Sequence, residues 1–524
     1  MAGLVWFRND LRVNYHSPLL AACDAAREGT GEAVRAVYVL CERQWDIHDV
    51  APLRRWYVLS SLRELGASLA KKGIPLDILD GKDFVRTADQ ISDYARTHGI
   101  STLFYNRDYP VNEVRRDQAV SERLKEMGIQ TVCFDDGVLV PPSALRTTGG
   151  TPYTVFTPFR RKWREVMKTK WREVMSLQTS LVQSAQYSHT GRGNLATFDD
   201  TLIRQALERC DVGKEVCALW QTGERAAREQ LKRFVAEALA GYQEQRDFPR
   251  LEGTSFLSAA LSAGTVSVRE CYERAVFYMA EYSPEYPVGD LRKGEKNLEY
   301  SSFDSESTSV SRERAVAGVD VWLSELCWRD FYRQIMANFP RVSMGVPFKQ
   351  ETGFIQWSND DDAFSAWCEG RTGYPLVDAA MRQLRATGWM HNRLRMVAAM
   401  FLTKQLFIDW RRGERFFMQH LIDGDFAANN GGWQWSASTG TDAVPYFRFF
   451  NPVRQSQRFD SEGTFIRRWV PELSVLDNKR IHEPWKAAEL VPDYCARIVM
   501  LEGTKERVTQ AFRMAKEIDQ MGQH

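Results

Sequence analysis

Nowhere in the 524 residues do 18 apolar side chains follow one another, so no membrane-spanning helix is expected. The opening Met1-Ala2-Gly3-Leu4-Val5-Trp6-Phe7-Arg8 reaches charge after seven residues and lacks a secretory core. Cysteine is sparse: the nine present are odd in number, form no Cys-x-x-Cys pair and join no Cys/His group at zinc spacing. A disulfide framework and a metal site are therefore not expected, and the compartment is read as reducing. No P-loop, Ser/His/Asp or Cys/His grouping is visible, so no hydrolytic nucleophile is proposed. A dinucleotide fingerprint is missing as well, because Arg8-Asn9-Asp10-Leu11-Arg12 follows the first apolar run in place of Gly-x-Gly-x-x-Gly. Even charge of one sign is lacking: 69 Lys and Arg face 68 Asp and Glu, and no global field advertises nucleic acid or membrane as a partner. These absences predict a soluble, cytoplasmic protein that binds no metal and no membrane.

What is present begins with length, which suffices for two sizeable cores. Up to residue 140, short apolar runs (Leu4 to Phe7, Val34 to Leu40, Ile74 to Leu79, Thr102 to Asn106, Thr131 to Phe134) alternate with amphipathic helical patterns. That alternation predicts an α/β domain over 1–140, a Rossmann-like parallel sheet with flanking helices. Residues 141–215 read as a linker rich in Thr, Ser, Gln and Gly, with Lys-Trp-Arg-Glu-Val-Met at 162–167 repeated at 170–175. From 216 to 524 the period is helical, as in Leu231, Phe234, Val235 and Leu239, and a mainly α domain is expected. A polar run over 283–314 reads as a surface insertion.

The chemistry is concentrated in Asp423-Gly424-Asp425-Phe426-Ala427-Ala428-Asn429-Asn430-Gly431-Gly432-Trp433-Gln434-Trp435, which is too polar for a core and too aromatic for a loop. Carboxylates and amides can read the ring edges of a heterocycle, glycines admit its close approach, and indoles can stack on it. Trp433 and Trp435, two apart, point about 160° from each other on a helix, so each could serve a different molecule. Between 389 and 470, 11 basic residues outnumber 7 acidic ones, which favours an anionic ligand. Of 16 tryptophans, 8 fall between Trp322 and Trp435. An aromatic core is the simplest account of them, yet Glu325 and Trp328 are i and i+3, and Asn392 and Met396 are i and i+4, so each pair lines one helix face. Arg393, turned away by about 100°, could meet a phosphate, whereas His391 reads as structural. In Glu252-Gly253-Thr254-Ser255-Phe256-Leu257-Ser258 the hydroxyls read first as an N-cap; the same geometry would also accept a pyrophosphate. Residue physics ends at a Trp-rich, Asp/Asn-lined, locally basic site for a heterocycle.

These residues resemble the photolyase/cryptochrome family, most closely bacterial class I photolyases of cyclobutane pyrimidine dimers. The resemblance runs through Trp6-Phe7-Arg8-Asn9-Asp10-Leu11-Arg12, Tyr242-Gln243-Glu244-Gln245-Arg246-Asp247-Phe248-Pro249, Thr372-Gly373-Tyr374-Pro375-Leu376-Val377-Asp378 and Arg467-Arg468-Trp469-Val470-Pro471-Glu472-Leu473. It implies an antenna domain followed by a helical FAD-binding domain. FAD, active when reduced, would then be held by Tyr242, Thr254, Ser255, Phe256, Leu257, Ser258, Arg395, Asp423, Gly424, Asp425 and Asn429, with Arg395 paired to Asp423 and Asn429 beside flavin N5. A flipped-out dimer in damaged DNA would meet Glu325, Trp328, Asn392, Met396 and Trp435, Arg393 and Gln455 would touch the strand, and Arg329 and Tyr332 would belong to the same substrate- and DNA-binding set. Photolyases are a standard base-flipping case, so flipping comes with the resemblance. Trp433, Trp410 and Trp357 match the chain that photoreduces oxidised flavin, while repair itself is electron transfer from excited reduced FAD. His48, Asn112 and Glu113 fall where such proteins hold 5,10-methenyltetrahydrofolate, although Met344 replaces a lysine found near that folate. A monomer is expected. The alternative is a cryptochrome-like blue-light receptor without repair; a nicotinamide-dependent flavin oxidoreductase lacks its fingerprint.

Overall fold

The computed structural model describes residues 2–28, 33–175, 198–282 and 311–521. Most of the 283–314 run and part of the 141–215 stretch therefore lie outside the described residues. Five strands, β1 (Ala2–Phe7), β2 (Val34–Leu40), β3 (Leu76–Asp80), β4 (Ile100–Asn106) and β5 (Gln130–Phe134), form one sheet in the order β3-β2-β1-β4-β5. Every pairing is parallel, with Val5 opposite Ala36 on one side and Phe104 on the other. β1 is central, which explains its unbroken apolar run: helices cover both faces and every residue after Ala2 is buried. The strand order reverses beside β1, where a doubly wound sheet usually leaves a crevice for phosphates. Here ion pairs fill that place. Arg8 and Arg116 stand 4.3 Å and 4.9 Å over the Trp6 ring, and Arg8 Nη1 bonds Asp117 at 2.8 Å. Asp10 accepts from Asn106 Nδ2 at 2.7 Å and lies 2.9 Å from His16 Nε2.

The chain parts into two compact units, Met1–Val212 with Trp220–Glu244 and Gly253–Asn338, and Gly213–Leu219 with Gln245–Glu252 and Phe339–His524. The first unit thus runs past the boundaries expected at 140 and 215. Its helical part explains why. Asp330, on the helix Arg312–Asn338, accepts from the backbone N–H groups of Leu139 (2.9 Å) and Val140 (3.1 Å), just past β5, and from Trp163 Nε1 (2.9 Å). Burial pushes this carboxyl up to about 6, and the three donors oppose that rise. Trp163 lies on the helix Phe156–Met175, so the stretch read as linker contains twenty residues of regular helix, and the duplicated hexapeptides share it. Two further short helices, Thr201–Glu208 and Lys214–Cys217, follow. The helix Gly223–Glu237 buries Ala227, Leu231, Phe234 and Val235, the one-sided pattern expected from its period.

The second unit is helical, as its periodicity predicts. Its core gathers Trp367, Tyr374, Met381, Phe401, Trp410, Phe417 and Trp433. One turn, Phe401–Leu406, is wound as a π-helix and ends at Phe407 with φ of +61°. It carries Lys404 into the interior, fully buried, where Nζ donates to Ser438 Oγ at 2.7 Å and to the Ala437 carbonyl at 3.3 Å. Both acceptors close the C-terminus of the helix Phe426–Ala437, where a cation is favoured. Burial, helped by the charge of Lys349, pulls the Lys404 ammonium down to about 7. Among the described residues no helix is long and apolar enough to cross a membrane.

Candidate functional site

The Asp423–Trp435 segment opens as a turn and continues as the helix Phe426–Ala437. Asp425 starts that helix: Oδ1 accepts from Ala428 N at 3.0 Å, a side-chain N-cap. Asp423 is buried, and its Oδ2 takes Arg395 Nη2 at 2.7 Å while Arg395 Nε holds the Met390 carbonyl. The other oxygen, Asp423 Oδ1, is shielded from solvent with no partner among the described residues. A buried acceptor left in this state needs a donor. Asn429 Nδ2 donates to the Glu414 carbonyl at 2.9 Å, and the Glu414 carboxyl accepts from Asn430 Nδ2 at 2.7 Å. Burial raises Glu414 to about 7, so it is a carboxyl balanced between its two forms near neutrality.

On this helix Trp433 and Trp435 separate as expected, Trp433 into the core and Trp435 half-buried. Trp433 lies edge-on to Phe417 at 4.9 Å and to Trp367 at 6.0 Å. A Cβ on Gly413 would sit 2.1 Å from Trp433 Cη2, so glycine alone lets the helix Trp410–His420 approach the indole. Trp410 begins that helix and is buried beneath Arg411, whose guanidinium is 4.8 Å from its ring and is paired to Asp409. Trp357 is half-buried against Phe407 at 5.0 Å. Of the eight clustered tryptophans, Trp322, Trp367, Trp410 and Trp433 are buried and the others half-exposed, so the core account holds for half of them.

Asn392 and Met396 share the helix Asn392–Met400, capped by His391, whose Nδ1 accepts from Arg393 N at 3.2 Å. That bond fixes the proton on Nε2, which is buried with no partner among the described residues; burial and the arginines nearby drive the ring down to about 4. Arg393 pairs with Asp247 at 2.7 Å and lies 4.6 Å over Phe459, a carboxylate partner that the spacing did not reveal. Gln455 sits on the helix Pro452–Phe459, with Oε1 unpartnered among the described residues.

In the first unit, Glu325 and Trp328 share one face of Arg312–Asn338, with Tyr332 a turn further on. Arg329, expected at the substrate, is turned to the protein: its guanidinium donates to the carbonyls of Gly137 and Leu261. The hydroxyls at 254–258 do not cap a helix. The cap position of Ser258–Ala263 is Leu257, which makes no side-chain cap bond, so Ser255 and Thr254 stay outside the helix start. Instead Thr254 Oγ1 is shielded with no partner among the described residues, and Phe256 has φ of +52°, a costly conformation for a ring-bearing residue. Gln230 braces the turn through the Ser255 carbonyl at 2.9 Å, and Tyr242 is buried against Phe234. Near the sheet, His48 Nε2 lies 2.8 Å from Gln44 Nε2 and 3.0 Å from Asn112 Nδ2, with Glu113 3.6 Å from Nδ1. Two amides on one nitrogen make it an acceptor and keep the ring neutral, in line with its lowered pKa. Burial raises Glu113 to about 7.

The fold and these groups define a class: a parallel-sheet unit joined in sequence to a helical unit with a polar, tryptophan-rich site. Residues 3–176 match the family model described as DNA photolyase, and 322–514 the one described as the FAD binding domain of DNA photolyase. The deoxyribodipyrimidine photo-lyase of Salmonella typhimurium is 40% identical over 98% of this chain and 99% of its own. A class III photolyase from Agrobacterium tumefaciens superposes with a TM-score of 0.78 at 30% identity, covering 98% of each chain. A Synechocystis cryptochrome does so with a TM-score of 0.76 at 27% identity, covering 97% of this chain and 99% of its own. The chain belongs to the DNA photolyase family. FAD fits the groups in hand: among the described residues Thr254 Oγ1 and Asp423 Oδ1 each lack a partner, as a ligand-facing polar atom would, and Phe256 holds a strained backbone beside the first.

Proposed function

We propose that the protein repairs cyclobutane pyrimidine dimers in DNA under light, as a monomer that uses FAD and no metal. The observation that supports this reading best is the two-sided helix Phe426–Ala437, with Trp433 buried toward Trp410's helix and Trp435 half-exposed on the other side. On this reading one indole serves electron supply and the other meets the substrate. Bound and reduced, FAD supplies the light-driven electron that splits the dimer's ring and receives it back. The chain's residues do the rest. Tyr242, Thr254, Ser255, Phe256, Leu257 and Ser258 hold the phosphates, and Arg395, Asp423, Gly424 and Asp425 orient the ring system. Asn429 offers a neutral amide at the ring edge, with its nitrogen already committed to the Glu414 carbonyl. Trp328, Trp435 and Met396 pack on the lesion, Glu325 and Asn392 hydrogen-bond it, and Arg393, Tyr332 and Gln455 lie toward the strand. Trp433, Trp410 and Trp357 relay electrons inward from solvent. Arg329, committed to two carbonyls, shapes the first unit and does not read DNA. A folate antenna at His48, Asn112 and Glu113 completes the reading; Met344 is 61% exposed and contributes no charge there.

The deciding experiment is illumination of the purified, reduced protein with dimer-containing DNA. Recovery of intact thymines is expected, and none in the dark. Absence of light-dependent recovery, with flavin bound, would shift the reading to a cryptochrome-like receptor.

A further inference from the structure

Six aromatic rings gather where the start of the helix Phe156–Met175 meets the helix Arg312–Asn338. Phe156 and Trp328 lie face to face, with centroids 3.5 Å apart and planes 8° from parallel. Phe331 stands edge-on to both, 5.7 Å from Phe156 and 5.6 Å from Trp328, and Phe159 closes behind it at 5.1 Å. Tyr332 approaches Trp328 at 5.5 Å, tilted by 30°, and Tyr153 backs Phe159 at 6.2 Å. Phe156 is 7% exposed, whereas Trp328 remains half-buried. The solvent access of the indole therefore does not come from the face that Phe156 covers.

The plate behind Trp328 is itself fixed. Gln334, 1% exposed, donates from Nε2 to the Tyr153 carbonyl at 2.5 Å, pinning the chain three residues before Phe156. Arg160 Nη2 bonds Asp320 at 3.0 Å one turn after it, and Trp163 Nε1 bonds Asp330 at 2.9 Å a turn further on. Pro158, in the first turn, needs no N–H there and sets the helix start. An indole on a helix surface without such a backing would exchange rotamers in picoseconds to nanoseconds, and each base bound would have to arrest it.

We infer that Phe156 is a positioning residue for lesion binding: it fixes the plane of Trp328 so that one indole face alone is offered to a pyrimidine. The inference rests on the reading that Trp328 stacks on the dimer. It adds that the segment 153–159, which composition marks as connecting chain, builds part of the substrate platform. It also makes recognition one-sided, because a ring already stacked at 3.5 Å on one face cannot take a base there.

The test is binding in the dark of dimer-containing and undamaged duplexes of one sequence to the FAD-loaded protein. Phe156→Leu keeps bulk and removes the plane; it should weaken dimer binding about threefold to tenfold, the range of an aromatic stacking contact. Binding of undamaged DNA should stay unchanged, and Phe156→Tyr should restore dimer affinity to within about twofold by the same contact. The double variant Phe156→Leu/Trp328→Ala should bind no worse than Trp328→Ala, since the plate acts only through the indole. Near-ultraviolet circular dichroism should lose the stacked-ring signal in Phe156→Leu and retain it in Phe156→Tyr. Where the leucine variant does not accumulate, Phe156→Met carries the same expectations. Full dimer affinity in Phe156→Leu, equal losses on dimer and undamaged DNA, or additive losses in the double variant would each overturn the inference. Unaltered dimer affinity in Trp328→Ala alone would overturn the lesion-stacking assignment, and this inference with it.

Discussion

At the scale of single residues, the groups that matter are those whose partners sit far off in sequence. Asp423 is held by Arg395, 28 positions away, and Arg393 by Asp247, 146 positions away. The resemblance names the first pair, and no spacing reveals the second, because ion pairing across a fold leaves no local pattern. Glu414 and Asn430 escaped for the same reason, and Lys404 looks in sequence like any surface lysine of an amphipathic stretch. Arg395→Ala should leave the Asp423 charge buried and cost about 3 kcal/mol, the lower end for breaking a buried pair, since Arg395 keeps 26% exposure. Urea unfolding measures it, and flavin retention should fall in parallel. Lys404 gives a pH signature of definite sign. Its folded pKa of about 7 lies below the ordinary 10.5, so between these values the unfolded chain binds more protons. Stability should therefore rise from pH 7 toward 10.5 through this group and level off below 7, where both states carry the proton. Lys404→Met should remove that slope; an identical pH profile in the variant would show that Lys404 is not the group responsible.

At the scale of elements, apolar period was a good guide and composition a poor one. All five expected strands form, each within two residues of its expected limits, because a doubly covered parallel sheet writes itself as short apolar runs. The helix Phe156–Met175 was hidden by the Ser- and Gln-rich residues that follow it, which coloured the whole window. Ser and Thr favour helix caps and their spacing before Ser258–Ala263 suits a cap or a pyrophosphate, yet Thr254 and Ser255 stay outside the helix start, which follows Phe256 with φ of +52°. Close approach of helices was equally illegible: Gly413 in an amphipathic helix gives no sign that Trp433 lies against it. Gly413→Val should collide with that indole, cost about 1 to 3 kcal/mol as an overpacked core does, and slow light-driven reduction of bound oxidised flavin. A variant that melts lower but photoreduces at the normal rate would argue against Trp433 as an electron carrier.

At the scale of the whole molecule, the expected order of an α/β part before an α part is right, and the compact units divide the chain at places other than 140 and 215. The helix Arg312–Asn338 belongs with the sheet, held there by Asp330. Asp330→Leu would orphan two backbone N–H groups and one indole N–H in a dry place and should destabilise by about 3 kcal/mol or more. Thermal melting should register the loss; an unshifted transition would mean that water replaces the carboxylate.

The same carboxylate bears on how such proteins can be recombined. A chimera that exchanged the parallel-sheet portion at residue 140, or at 215, would sever the sheet's exit loop from the acid that binds its amides, and would hand that acid a stranger's backbone. Swaps that carry 312–338 along with the sheet keep donor and acceptor from one parent, so successful hybrids are expected to be discontinuous in sequence, with their second crossover beyond Asn338.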